Sequence, residues 1–338
     1  MRFDKLAVRF EATVQIAAIN EWLWPDPPRS GRTYDVAMTI SGQQPLIRVL
    51  YDESRSDLRV PDRPRPVRIY LWEPDHPPAP PAPLVVVSHG TGGSGSRMEW
   101  LAGPLREAGF RVVALDHHGN NFIDGYEPEG FLYVWERPRD VSFVLDVLAR
   151  EQPLGPVGAA GFSLGGYTAV ALAGVRVDPQ ILWAVMTGAV PLPEIPEFPG
   201  ALEQLRKKYP LDESLRHVLN GAGADLSDPR VRAVFQVAPG VGGLVTRESL
   251  ETVQVPVGIR WGGADTVNPY EVDTRPYLDH IPRASGCSVG PDVRHEDFFM
   301  PEPANSAVRV QVGREAAAFF EQHLPEPRYV RDGWEPPC

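Results

Sequence analysis

Cysteine is nearly absent. Cys287 and Cys338 are the two among 338 residues, so one bridge is the most the chain could close and a disulfide framework is excluded. Cys338 also fails the prenylation pattern, which needs its cysteine four residues from the end. Long apolar runs are missing too: no stretch of about 18 consecutive apolar residues offers a membrane-spanning helix. The opening Met1-Arg2-Phe3-Asp4 lacks the basic-then-apolar order of a secretion signal, so the expected compartment is the cytoplasm, with no stable membrane insertion. Positive charge is in deficit, 33 Lys and Arg against 44 Asp and Glu. The resulting net charge of -11 is the opposite of what a phosphate backbone demands, and it excludes nucleic acid as the expected partner.

What is present describes an ordinary globular protein. Apolar residues make up 43% and charged residues 23%, enough to bury a large core. The 37 prolines cluster at Trp24 to Pro28, Pro61 to Pro66 and Pro74 to Pro83, which read as stiff surface connections because proline neither donates to a ladder nor continues a helix.

After an expected amphipathic N-terminal segment, Tyr34 to Ile40, Leu46 to Tyr51 and Val67 to Trp72 have the pattern of antiparallel strands opening a mixed sheet. From Leu84 the pattern changes. Leu84 to Val87, Arg111 to Leu115 and Val157 to Gly161 are continuous apolar runs bounded by glycine or proline, and helical segments alternate with them: Trp100 to Ala108, Pro138 to Arg150 and Leu164 to about Ala173. Strands buried on both faces and alternating with helices predict an α/β fold around a mostly parallel central sheet, covered by helices on both faces. Between Ile181 and Asp228 the alternation stops, and short helices are expected at Ala201 to Lys208 and Glu213 to Leu219. This insertion, 181–228, is expected to form a cap or lid above the strand ends and to line the pocket, leaving 1–180 and 229–338 as the catalytic domain. Individual substrate-binding residues are not assigned. The sheet resumes with Val231 to Val237, Val255 to Arg260 and about Ser285 to Val289, and a closing helix runs from about Val308 to His323.

Gly161-Phe162-Ser163-Leu164-Gly165-Gly166 places a G-x-S-x-G between a strand and a helix. Such a turn exposes the serine hydroxyl at the top of a sheet, and its glycines remove side chains that would clash there. A serine hydroxyl is a weak nucleophile at neutral pH and needs a base within hydrogen-bond reach. Asp265, in the Gly-rich turn after Val255 to Arg260, has the position of an orienting acid; the same residue type in that setting also forms Asx turns. His295 follows the last strand and precedes the closing helix, which is where a base belongs. The order serine, acid, histidine suits nucleophilic catalysis on this kind of sheet.

A tetrahedral intermediate needs preset amide donors for its oxyanion. The amide of Leu164 is the expected first donor, and that of Thr91, in Ser88-His89-Gly90-Thr91-Gly92-Gly93-Ser94, the second. That Gly-rich turn lacks the lysine of a phosphate-binding loop, and no G-x-G-x-x-G opens a helix. His89 reads as a loop-bracing residue. Asp116-His117-His118 is assigned a structural or pocket-lining role rather than a metal site, because neighbours on an extended segment point apart. No metal and no cofactor are expected.

With Ser88 to Ser94, Gly161 to Gly166, Asp265 and His295, together with Trp135-Glu136-Arg137-Pro138, the chain resembles the α/β-hydrolases of the dienelactone-hydrolase-like and plasma-type platelet-activating-factor acetylhydrolase-like group, from about Pro66 to Phe320. The elbow carries serine where dienelactone hydrolases carry cysteine. The resemblance implies acyl transfer from a small-molecule ester to Ser163 and then to water, with the Thr91 and Leu164 amides as oxyanion hole. An amidase, peptidase or acyltransferase would carry the same residues, and a non-catalytic ligand-binding homologue would keep the same fold.

Overall fold

The apolar runs form strands whose side chains alternate between two covered faces, as a pleated backbone requires. In a computed structural model of the protein, residues 44–74, 81–192, 194–300 and 306–324 are described. The expected N-terminal segment, the strand Tyr34 to Ile40 and Cys338 lie outside them. The strands are β1 (Leu46–Ser56), β2 (Pro64–Trp72), β3 (Leu84–Ser88), β4 (Arg111–Asp116), a separate ribbon of β5 (Asn120–Asn121) and β6 (Gly125–Tyr126), then β7 (Val157–Phe162), β8 (Val231–Val237), β9 (Val257–Trp261) and β10 (Ala284–Ser288). Eight of them form one sheet in the order β1-β2-β4-β3-β7-β8-β9-β10. β1 and β2 pair antiparallel with each other and β2 antiparallel with β4; from β4 to β10 all pairing is parallel.

The helices are α1 (Glu99–Glu107), α2 (Pro128–Leu132), α3 (Glu136–Glu151), α4 (Leu164–Ala171), α5 (Pro179–Thr187), α6 (Ala201–Lys208), α7 (Glu213–Leu219), α8 (Arg247–Glu251), α9 (Arg275–His280) and α10 (Ser306–His323). Ile69, Val86, Val113 and Ala159 face one layer, where they meet Val141, Val144 and Leu148 of α3 and Val170 of α4. Val85, Val87, Val112 and Ala160 face the other, with Leu101 and Leu105 of α1 and Val312 and Phe320 of α10. Gly158 makes room for that second layer: a Cβ there would stand 2.5 Å from the Phe320 ring, whose complete burial is worth about 2 to 3 kcal/mol.

Where bounds differ from the sequence expectation, proline explains it twice. α3 starts at Glu136 rather than Pro138, because a helix's first turn has amides without intrahelical acceptors and tolerates a proline there. β9 starts at Val257 rather than Val255, since Pro256 has no N–H for the ladder. α6 and α7 have the expected bounds. Leu205, Leu215 and Leu219 from them join the buried core cluster that also holds Tyr133 and Trp135. Among the described residues no helix is long and apolar enough to cross a membrane.

Candidate active site

β3 lies between β4 and β7 at the centre of the sheet, so the loops leaving the C-terminal ends of β3 and β7 rise side by side. At the end of β7, Ser163 has φ 55° and ψ -120°, a backbone conformation that costs about 1 to 3 kcal/mol for a residue with a Cβ. Three hydrogen bonds hold it: Ser163 N–H to the Val237 carbonyl at 2.9 Å, and the Gly166 and Gly240 amides to the Ser163 carbonyl at 2.9 and 3.1 Å. A Cβ on Gly161 would overlap the Gly165 carbonyl, and one on Gly165 would overlap the Ser88 carbonyl. The glycines of G-x-S-x-G are therefore places where backbone meets backbone.

The three side chains singled out in the sequence converge. Ser163 Oγ lies 3.1 Å from His295 Nε2, and His295 Nδ1 lies 2.7 Å from Asp265 Oδ2. All three are buried. A carboxylate only accepts, so Nδ1 carries the imidazole proton and Nε2 is left to accept from the serine hydroxyl. The ring packs against Phe162, centroids 4.8 Å apart. Asp265 also forms the Asx turn that its sequence context allowed: Oδ1 accepts the amides of Val267 at 2.9 Å and Asn268 at 2.8 Å, while Oδ2 faces His295. One carboxylate performs both tasks with different oxygens.

That turn delivers a residue the sequence reading missed. Asn268 Nδ2 donates to Ser163 Oγ at 3.2 Å and to the Ala238 carbonyl at 2.9 Å. With an N–H on one lone pair, the serine's own hydrogen is directed to His295. The signal was the Asx turn itself, which fixes the residue three places after Asp265.

Leu164 heads α4, in the first turn where amides have no intrahelical acceptor. In the loop after β3, the Gly92 amide is taken by Asn120 Oδ1 at 2.6 Å and the Gly93 amide by the Gly90 carbonyl at 3.3 Å. Among the described residues no hydrogen bond engages the Thr91 amide. Gly90 lies against Ser163, a Cβ on it falling 3.2 Å from that of the serine.

His89 braces this loop, as its sequence position suggested. Its Nε2 accepts the His117 amide at 3.2 Å, so Nδ1 carries the proton and donates to the Gly90 carbonyl at 2.6 Å. Burial, with Arg137 nearby, holds its pKa well below the usual histidine range. Beneath it lies a buried charged cluster. Arg137 donates to the His89 carbonyl, to Ser88 Oγ at 3.3 Å and to Thr168 Oγ1 at 2.9 Å. Burial lowers the guanidinium to about 9, which leaves it cationic at neutral pH. His117 bridges Ser88 Oγ at 2.7 Å and Asp140 Oδ2 at 3.1 Å, and burial pushes it down to about 3. Burial alone would raise Asp140, but Arg65 at 2.8 Å and Arg55 at 2.8 Å hold it well below the carboxylate range.

Asp116, His117 and His118 turn to different partners. Asp116 accepts from Ser94 Oγ, the Gly95 amide and Tyr70 Oη at 2.7 to 2.9 Å, and burial raises its pKa. His118 Nε2 accepts the Leu58 amide at 3.0 Å. Among the described residues no group of three or more His, Cys, Asp or Glu is placed to hold a metal ion.

Segment 181–228 leans on the ribbon and α2. Phe198 packs with Tyr126 and Phe131, ring centroids 6.0 and 5.2 Å away, Tyr209 Oη donates to Glu129 at 2.6 Å, and Lys208 pairs with the same carboxylate. Glu197 reaches the loop after β3 at Gly92.

The comparisons agree with this architecture. Residues 79–217, less than half of the chain, match the family model described as serine aminopeptidase, S33. The structure of esterase 2 from Thermogutta terrifontis, phosphorylated by paraoxon, superposes with a TM-score of 0.52 over 84% of this chain and 96% of that one, at 17% identity. A 2,6-dihydroxy-pseudo-oxynicotine hydrolase superposes with a TM-score of 0.50 over 84% of this chain and 70% of that one, also at 17% identity. No curated protein matches the sequence. Fold and site architecture together define an α/β protein with a sharp strand-to-helix turn at Ser163. The chain has the α/β-hydrolase fold.

Proposed function

We propose that the protein is a serine hydrolase that cleaves a carboxylic ester of a small molecule. The observation that carries this reading is the continuous line from Ser163 Oγ through His295 to Asp265, at 3.1 and 2.7 Å. His295 Nε2 takes the hydroxyl proton as Ser163 attacks the carbonyl, and Asp265 stabilises the imidazolium. The amides of Thr91 and Leu164 receive the oxyanion. His295 returns the proton to the leaving group, then activates water against the acyl-enzyme. Asn268 steadies the attacking oxygen. The chemistry calls on no metal or cofactor. Segment 181–228 covers the site as a cap, which its contacts with the ribbon and with Gly92 support. The compartment proposed is the cytoplasm.

The match to a model described as serine aminopeptidase favours amide cleavage as a second reading. A panel of p-nitrophenyl esters run beside the matching anilides separates the two by which bond is turned over. Esterase 2 is phosphorylated by paraoxon, and an organophosphate or fluorophosphonate probe is the direct test for this chain. Labelling should be stoichiometric and abolished by Ser163→Ala, and His295→Ala should lower turnover by about 10⁴ or more. Folded wild-type protein that takes no label refutes the proposal.

A further inference from the structure

The two amides proposed to receive the oxyanion come from different elements, Thr91 from the loop after β3 and Leu164 from the first turn of α4. Both serve one oxygen only when their N–H groups converge on it, and a misplacement of about 1 Å costs on the order of 100-fold in rate. Backbone packing supplies one fixed point between the elements: Gly165 approaches the Ser88 carbonyl so closely that a Cβ would overlap it. One point of contact sets a distance and leaves an angle free.

Arg137 supplies the rest. From α3 its Nη2 donates to the His89 carbonyl and, at 3.3 Å, to Ser88 Oγ, while its Nε donates to Thr168 Oγ1 at 2.9 Å. Thr168 lies on α4, and its hydroxyl donates in turn to the Leu164 carbonyl at 3.2 Å. A guanidinium is a planar fork whose N–H directions are fixed by its own bonding, so it holds the root of the loop and the first turn of the helix at one separation and one angle. On the loop side, the peptide plane carries this to Thr91. His89 Nδ1 donates to the Gly90 carbonyl at 2.6 Å, and in a planar trans peptide the following N–H points opposite to that carbonyl. The Thr91 amide is thereby turned away from His89, a residue held at its own carbonyl by Arg137 and at Nε2 by the His117 amide at 3.2 Å.

The charge points the same way. Arg137 is fully buried, and among the described residues no carboxylate ion-pairs with it; its hydrogen bonds reach Asp140 only through Ser88 and His117. A buried cation resting on neutral acceptors costs more than an apolar side chain of the same size. Filling the space calls for no guanidinium.

We propose that Arg137 is a positioning residue for the reaction, the one side chain that sets the Thr91 and Leu164 amides relative to each other. This rests on the hydrolase reading of Ser163 and on its two oxyanion donors. Arg137 touches no substrate and acts through His89 and Thr168.

The test compares p-nitrophenyl acetate with p-nitrophenyl thionoacetate, whose C=S sulfur accepts hydrogen bonds weakly and gains little from oriented amides. Wild-type kcat/KM, which reports acylation, should favour the oxo ester about 100-fold or more. Arg137→Met should slow the oxo ester far more than the thiono ester, lowering that ratio about tenfold. Arg137→Lys should recover part of it, since one ammonium still reaches the His89 carbonyl without spanning both elements. Loss of folded protein slows both esters alike and leaves the ratio unchanged, and fluorophosphonate titration counts the active molecules. Should the methionine variant not fold, Thr168→Val, which cuts only the link to α4, decides in its place. A ratio lowered less than about threefold in the deciding variant overturns the proposal and leaves Arg137 a purely structural residue. A wild type that cleaves both esters equally well overturns the oxyanion assignment, and the proposal with it. Failure of the hydrolase reading looks different again, since neither ester is then cleaved and Ser163 takes no label.

Discussion

Lowering the pH from 7 to 5 is expected to destabilise the protein through histidines that are buried and neutral. His117 is pushed down to about 3 by burial, while an unfolded chain titrates it near the ordinary value of about 6.5. Between those values the unfolded state binds one more proton, so stability rises with pH and is lost on acidification, by up to about 1.4 kcal/mol per unit. From pH 7 to 5 the loss is about 2 kcal/mol for this one residue, integrated over the unfolded titration. His89 is shifted in the same direction and adds to the loss. The His117 contribution alone is a sizeable share of the roughly 5 to 15 kcal/mol typical of a folded protein. Asp140, held low by Arg65 and Arg55, stabilises above the unfolded carboxylate range and is lost below it, outside the window. Asp116 and Glu197, raised by burial, act in the opposite direction, because the native state holds their protons more tightly. The clean measurement is therefore a difference of slopes. Urea denaturation at pH 5, 6 and 7 should show wild type losing about 2 kcal/mol more than His117→Asn across the range, whatever the variant's stability at pH 7. His117→Gln is the alternative should the asparagine variant not fold. Equal slopes would mean that His117 is not neutral in the native state and would refute the reasoning.

Asn268→Ala removes a donor from Ser163 Oγ, worth about 1.5 to 3 kcal/mol if charge develops there as the proposed mechanism requires, so kcat should fall about 10- to 100-fold with KM little changed. Asn268→Asp should be slower still, because it sets a carboxylate against the nucleophile; steady-state kinetics reads both, and an unchanged kcat would remove Asn268 from the site. Gly165→Ala forces a Cβ into the Ser88 carbonyl and should cost about 3 kcal/mol or more, seen as a lower thermal midpoint; a midpoint within a degree of wild type would contradict the close approach.

The elements legible in the sequence were those whose chemistry is local. The β-branched runs of β3 and β4, the glycines around Ser163 and the short helices α6 and α7 each state their conformation within a few residues. Asp265 and His295 were legible by their place after strands. Asn268 was not read, since nothing marks an asparagine as facing a serine more than a hundred positions away until the Asx turn is built. The cluster of Arg55, Arg65, Arg137, Asp140 and His117 was not legible as a unit: its members come from β1, β2, α3 and the end of β4, and although His117 reads as structural or pocket-lining, nothing local joins it to the others. Segment 181–228 yielded its helices and not its contacts, because the partners of Phe198 and Tyr209, namely Tyr126, Phe131 and Glu129, lie in a different connection.

That charged cluster has a consequence for how the site comes into being. Arg137 and Asp140 belong to α3, Ser88 to the central strand and His89 to the loop proposed to receive the oxyanion. The loop is fastened to the layer beneath it, so its shape is an outcome of the packing of helix on sheet. Activity and tertiary structure are then one cooperative unit: a molecule with α3 undocked has no oriented amides, and a molecule with α3 docked has them before any substrate arrives.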